Sequence, residues 1–193
     1  TGQFKVVLPV GSKLAIVAAD WPQLDVPDLP GVKQRITGQL IPAELRPHIQ
    51  GNITIQGTTG DGEPNPGDLV MDGLLIDGKV TVQSGNLNSL RIANSTLVPT
   101  KGGINVSAKN DQLKLIFDYS ITGNISLSVP VTELQVKNSI VDGQGTDAIN
   151  ALFSKAKIQN STILSEAGFN MLEAENSIFT HQIQTTRTQE GCV

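Results

Sequence analysis

Three carboxylates crowd one short stretch, Asp61, Glu63 and Asp68, among Gly, Pro and Asn. Carboxylate oxygens are hard donors, so the spacing is chemically open to calcium. It lacks both the EF-hand ligand ladder and a Gly-Gly-x-Gly-x-Asp repeat, and it reads first as an ordinary acidic turn. Asp72 and Asp118 stand at equivalent places in two repeated phrases, and a matched pair of carboxylates is what acid–base chemistry on a sugar needs. The next residues at that place are Ala93, Lys137, Gln159 and Glu175, a column of mixed charge that reads as a solvated face. His48 and His181 have no partner at metal-ligand or triad spacing. Cys192 is the single cysteine, so it cannot close an internal disulfide, and no neighbouring histidine activates it. Trp21 offers a ring that could stack on a sugar, but its place beside the first repeat suits a plug for an open end. The glycines mark turns and build no phosphate loop, and no cofactor is implied.

The elements that must position these groups are written in the composition. Of 193 residues, 18 are Ile, 16 Val and 16 Thr, beside 19 Gly and 13 Asn. β-branched residues favour strands, and Gly and Asn tolerate left-handed turns, so the chain reads as all-β with many short strands. Charged residues make up 17% and the net charge is -4, which removes the electrostatic footprint of a nucleic-acid binder. No apolar run approaches the length of a membrane span. The chain opens at Thr1 without a signal peptide and reads as a fragment of something longer, so compartment stays unassigned.

A repeated phrase organises the whole. Leu90-Arg91-Ile92-Ala93-Asn94-Ser95 recurs as Leu134-Gln135-Val136-Lys137-Asn138-Ser139, as Ala156-Lys157-Ile158-Gln159-Asn160-Ser161 and as Leu172-Glu173-Ala174-Glu175-Asn176-Ser177. Leu115 to Ser120 is a degenerate copy with Tyr119 at the Asn place. Upstream, Leu69–Gly73, Ile53–Gly57 and Leu14–Ala18 fit the same frame, with a weaker copy at Ile36–Gly38. The markers then recur every 16 to 25 residues. Alternation on both sides of the Asn-Ser corner predicts two short strands per coil facing one interior. The expected fold is a right-handed single-stranded parallel β-helix of about nine coils, one domain over 1–193. Residues 1–13 are expected to cap its start, and 181–193 to be a truncated end.

The Asn column has a physical reason. A sharp corner between strands favours positive φ, which Gly adopts freely and Asn better than most. Stacked one rung apart, the amides of Asn94, Asn138, Asn160 and Asn176 are expected to form a hydrogen-bonded ladder, with the serines as a second column beside it. Loops should interrupt the coil at 61–68 and 101–103, with short helical turns at 147–153 and 42–47.

The phrase Asn176-Ser177-Ile178-Phe179-Thr180, followed by Arg187 to Val193, resembles the C-terminal β-helical region of a family of large, mostly uncharacterised bacterial proteins encoded beside contractile phage-tail-like components. Leu14–Asp20, Leu69–Ile76 and Asn138–Asp142 carry the same likeness. More coarsely, the coil is similar to the pectin-lyase-like superfamily, which holds lyases, hydrolases, adhesins and tailspikes. The first resemblance implies the fold and no catalytic residue. The second implies a carbohydrate-active alternative, although the Asp-Asp, Gly-His-Gly and Arg-Ile-Lys signatures of polygalacturonase-like enzymes are absent. The leading expectation is a non-catalytic module of a larger bacterial protein, a rigid scaffold displaying loops on one face to a carbohydrate or protein surface. End-to-end or homo-oligomeric contact is a further expectation, because open strand edges recruit other chains.

Overall fold

The computed structural model describes residues 2–18, 23–35 and 47–187. The strands wind into a right-handed parallel β-helix with three faces. Face 1 is built by Lys13–Val17, Gly67–Asp72, Leu87–Ala93, Lys114–Asp118, Glu133–Lys137 and the second halves of Ile149–Gln159 and Ala167–Glu175. Face 2 follows the Asn corner: the start of His48–Gly57, then Leu75–Asp77, Thr96–Leu97, Ile121–Thr122, Ile140–Asp142, Thr162–Leu164 and Ile178–Phe179. Face 3 holds Gly2–Leu8, the rest of His48–Gly57, Val80–Val82, Ile104–Val106, Ile125–Leu127, the starts of Ile149–Gln159 and Ala167–Glu175, and Ile183–Thr185.

Two expectations are corrected by this register. Each coil has three strands, not two, because the short segment after the next turn also pairs rung to rung. The described residues hold seven rungs on faces 1 and 2 and eight on face 3. Ile53–Gly57, counted as a corner repeat, lies on face 3 between Phe4–Leu8 and Val80–Val82. The reason is physical: an alternating strand that ends in Gly looks alike on every face. Within residues 1–13, expected to cap the start, Gly2–Leu8 is itself a strand of face 3, paired with Gly51–Gly57. The expected helical turn at 147–153 is instead strand, with Ile149 and Ala151 buried and a register shift between Ala151 and Lys155. Ile36–Gly38, Trp21, Cys192 and the turn expected at 42–47 lie outside the described residues, apart from Pro47. Between Ala18 and face 2 the chain leaves the coil, and Gln23–Asp25 pairs antiparallel with Lys33–Arg35 in an excursion that the repeat had hidden.

The interior is a set of stacked columns. On face 1 one column runs Leu14, Leu69, Leu90, Leu115, Leu134, Ala156, Leu172, and the next runs Ile16, Met71, Ile92, Phe117, Val136, Ile158, Ala174. From Leu69 to Ile158 these side chains are fully buried, each stabilising the fold by roughly 1.5–3 kcal/mol for the larger apolar ones. The corner residues take the left-handed region as argued: φ is 75° at Gly73, 46° at Asn94, 48° at Tyr119, 49° at Asn138, 50° at Asn160 and 46° at Asn176. At the turn between faces 2 and 3 glycine has a second use. A Cβ on Gly78 would lie 2.1 Å from the Gly51 carbonyl oxygen, so only glycine lets these two coils close up.

Beside the Asn corner runs a chain of buried hydroxyls. Ser95, Ser120, Ser139 and Ser161 are at most 3% exposed. Each accepts the amide of the rung before it: Leu74 to Ser95 at 3.0 Å, Ser95 to Ser120 at 3.3 Å, Ser120 to Ser139 at 3.0 Å and Ser139 to Ser161 at 3.2 Å, with Ser161 to Ser177 at 3.2 Å closing the series. Each serine hydroxyl also donates to the carbonyl two residues back, as Ser95 does to Ala93 at 2.6 Å. The asparagine amides face outward with mixed partners. Asn160 donates to Asn138 Oδ1 at 3.3 Å, whereas Asn94 donates to Asp72 at 2.9 Å and Asn138 to Asp118 at 3.3 Å. Among the described residues there is one 3-10 turn, Pro99–Lys101, and no helix long and apolar enough to cross a membrane.

Candidate functional site

The rungs fix where loops can emerge, and the two longest among the described residues leave at the corner between faces 3 and 1. Residues 58–66 and 107–113 are two coils apart yet meet in space, because the coil between them turns tightly at Gln83–Asn86. Asn110 anchors the second loop: it is fully buried, donates to the Gln83 carbonyl at 2.7 Å and accepts the Leu87 amide at 3.3 Å. That anchor carries Lys109 onto Asp61 at 2.6 Å. Gln112 reaches the Glu63 carbonyl at 3.5 Å, and the buried Asn86 donates to the Gly60 carbonyl at 3.2 Å and to Asp61 at 3.4 Å. Beside this cluster lies an open cavity of about 520 Å³ lined by Lys13, Asn65, Pro66, Asp68, Asn88 and Gln112.

The three carboxylates of the calcium candidate are each engaged elsewhere. The hydrogen bond from Lys109 holds the Asp61 carboxyl below its ordinary value against the small opposing effect of desolvation, and Asp61 in turn raises the lysine. Glu63 turns back to accept the Gly60 amide at 2.8 Å. Asp68 accepts Asn88 at 2.7 Å and Ser89 at 2.6 Å. Among the described residues no group of three or more His, Cys, Asp or Glu side chains is placed to hold a metal ion. Asp61, Glu63 and Asp68 are therefore neighbours in sequence that the fold does not bring to one point.

Asp72 and Asp118 do fall in one outward column of face 1, with Ala93 on the rung between them and Lys137, Gln159 and Glu175 following. Asp72 accepts Asn94, while Asp118 accepts Arg91 at 2.9 Å and Asn138 at 3.3 Å. Further along the same face, Lys155 pairs with Glu173, and Lys157 lies 3.2 Å from Glu133 and 3.8 Å from Glu173. Partial burial works against charge on Glu133, but the Gln135 amide and Lys157 outweigh it and hold its carboxyl below the usual range. The hydrogen bond from Lys155 does the same for Glu173. Glu133, Lys155, Lys157 and Glu173 thus form one connected charge network on this face.

The histidines sit apart. His48 Nε2 is 3.9 Å from Asp77, which Lys101 approaches to 4.0 Å, beside an open cavity of about 510 Å³ at the turn between faces 2 and 3. His181 Nδ1 is 2.8 Å from its neighbour Thr180 Oγ1. One pair of carboxylates that sequence reading passed over, Asp147 and Glu166, lines a polar cavity of about 100 Å³ with Asn150, Gln182 and Gln184. Both residues lie in turns between faces 2 and 3 one coil apart, so their proximity depends on the true rung count. The same holds for Lys109, Asn86 and Gln112, whose only sequence signal is that they interrupt the alternation. No family model, no curated protein and no solved structure matches the chain.

Proposed function

We propose that the chain is a non-catalytic scaffold, a stiff β-helical module that presents the paired loops 58–66 and 107–113 to a carbohydrate or protein surface. The observation that carries this reading is the way charge is arranged. Asp61, Asp68, Asp72, Asp118, Glu133 and Glu173 are each tied to a lysine, arginine, amide or hydroxyl, and the carboxyl pair that does share a cavity, Asp147 and Glu166, has only about 100 Å³ beside it. Acid–base chemistry on a glycosidic bond needs one carboxyl kept protonated and another kept ionised, whereas Asp61, Glu133 and Glu173 are all held toward the ionised form by lysines. The stack of rungs supplies the stiffness, since every strand is bonded to the next coil along the axis. The likeness of Leu69–Ile76 and Asn138–Asp142 to β-helical regions encoded beside phage-tail-like components supports a place for the module within a larger bacterial protein.

The competing reading is a carbohydrate-active enzyme of the pectin-lyase-like type. Incubating the 193-residue chain with acidic and neutral polysaccharides, and following reducing ends and unsaturated products, separates the two. The scaffold reading predicts no turnover of any of them. Turnover that disappears in Asp72→Ala, Asp118→Ala or Asp147→Asn would overturn it and assign the chemistry to that carboxylate.

A further inference from the structure

Face 2 differs from the other two faces in what it shows to solvent. Beyond His48, its first outward column runs Leu75, Thr96, Ile121, Ile140, Thr162, Ile178, one residue per rung in unbroken register. None carries a charge. Ile121 is 40% exposed, Ile140 39% and Ile178 62%, and Tyr119 on the adjoining corner is 64% exposed. An uncharged stripe over six rungs, four of them Leu or Ile and two Thr, rimmed by asparagines, is the kind of patch that marks an interaction surface.

The order of residues says which partner it fits. The six residues from Leu75 to Ile178 form a palindrome in chemical type, apolar, Thr, Ile, Ile, Thr, apolar, with His48 outside it. A two-fold axis lying along the strands, between Ile121 and Ile140, turns the column end for end onto itself. Thr96 then faces Thr162, Ile121 faces Ile140 and Leu75 faces Ile178. The corner column obeys the same operation, with Asn94 opposite Asn160, Tyr119 opposite Asn138 and Gly73 opposite Asn176. In the outward column on the other side, Val98 meets Leu164, Asp142 meets Gly123 and Asp77 meets Thr180, so no two like charges are opposed. A two-fold interface demands this self-complementarity, in which residue i meets j and j meets i.

We propose that face 2 is a self-association surface, on which a second copy of this chain packs face to face with its coil axis antiparallel. Six rungs about 4.8 Å apart and a face four to five residues wide bury on the order of 400–500 Å² per copy, about 900 Å² in all. That lies below the standard size of a stable complex, and area does not fix affinity, so association is expected as a weak, concentration-dependent step over about 10–1000 µM. The inference goes beyond the scaffold reading and does not rest on it, because polysaccharide turnover would leave dimerisation untouched.

Sedimentation equilibrium of the 193-residue chain across that concentration range tests it, with circular dichroism to confirm that each variant is folded. The wild-type chain passes from monomer to dimer. Ile121→Lys and Ile140→Glu, each alone, shift the midpoint upward at least tenfold by placing a charge against an isoleucine. The double variant I121K/I140E restores association, because the two new charges meet across the axis. A wild-type chain that stays monomeric throughout, or a dimer that survives Ile121→Lys, overturns the proposal. If the charged variants do not fold, T96C/T162C on a Cys192→Ser background is the second route: oxidation gives a covalent dimer, and its absence overturns the proposal equally.

Discussion

At the scale of single residues, the stack turns on a few polar atoms at the corner. Ser139 is the centre of the buried hydroxyl chain, accepting the Ser120 amide at 3.0 Å and donating to the Lys137 carbonyl. Ser139→Ala leaves a buried amide without a partner, which costs about 1–3 kcal/mol, measured as a lowered midpoint in chemical denaturation. Thr122 provides the opposite case. Among the described residues its Oγ1 is buried without a hydrogen-bond partner, in a column that otherwise holds Ile76, Leu97, Val141 and Ile163. Thr122→Val keeps the shape and removes the unsatisfied hydroxyl, so it stabilises by about 1 kcal/mol, and a loss of stability in the same assay would refute that reading. The corner conformation was legible beforehand, because Gly73 gives way to Asn94, Asn138 and Asn160 at one place and only positive φ suits both types. The role of the serines was not. A serine in an alternating sequence looks the same whether it meets water or the amide of the previous rung.

At the scale of strands and loops, register decides what meets what. Glu133, Lys155, Lys157 and Glu173 are adjacent only because three successive rungs of face 1 align. The carboxyl of Glu133 is held below its usual range in the folded chain, so its contribution is present above the unfolded carboxylate pKa and fades as pH falls through the lowered folded value. Lys157→Met should therefore be less stable than wild type at neutral pH, with the gap narrowing as the medium is taken to about pH 3, where carboxylates protonate. A gap that stays constant over that range would show that Lys157 contributes packing alone. The charge column Asp72, Ala93, Asp118, Lys137, Gln159, Glu175 was readable because every member sits one residue before a recognisable corner. The Asp61–Lys109 pair was not, since 48 residues separate its members and no shared phrase sets their coils side by side. Asp147 and Glu166 escaped notice for the same reason. The repeat names positions along face 1 and says nothing of the turns opposite it.

At the scale of the whole molecule, the repeat carried the architecture. The corner phrase is specific where Asn-Ser closes it, and it identified the rungs at Asn94, Tyr119, Asn138, Asn160 and Asn176. Upstream it held at Leu14–Ala18 and Leu69–Gly73, which are successive rungs of face 1, and failed at Ile53–Gly57, where a Gly-terminated strand on face 3 passed for a corner. Few aromatics follow from the same geometry, because narrow coils are filled by aliphatic columns. A stack of this kind transmits force along its axis because each rung is bonded to its neighbours and no coil in the middle has a core of its own. Stiffness is the physical content of the scaffold reading, and native-state hydrogen exchange tests it most directly. The account predicts that the strand amides from Leu69 to Ile163 exchange together, with one opening free energy equal to that of global unfolding. Separate segments opening independently at lower free energy, for example on either side of the Pro99–Lys101 turn, would contradict it.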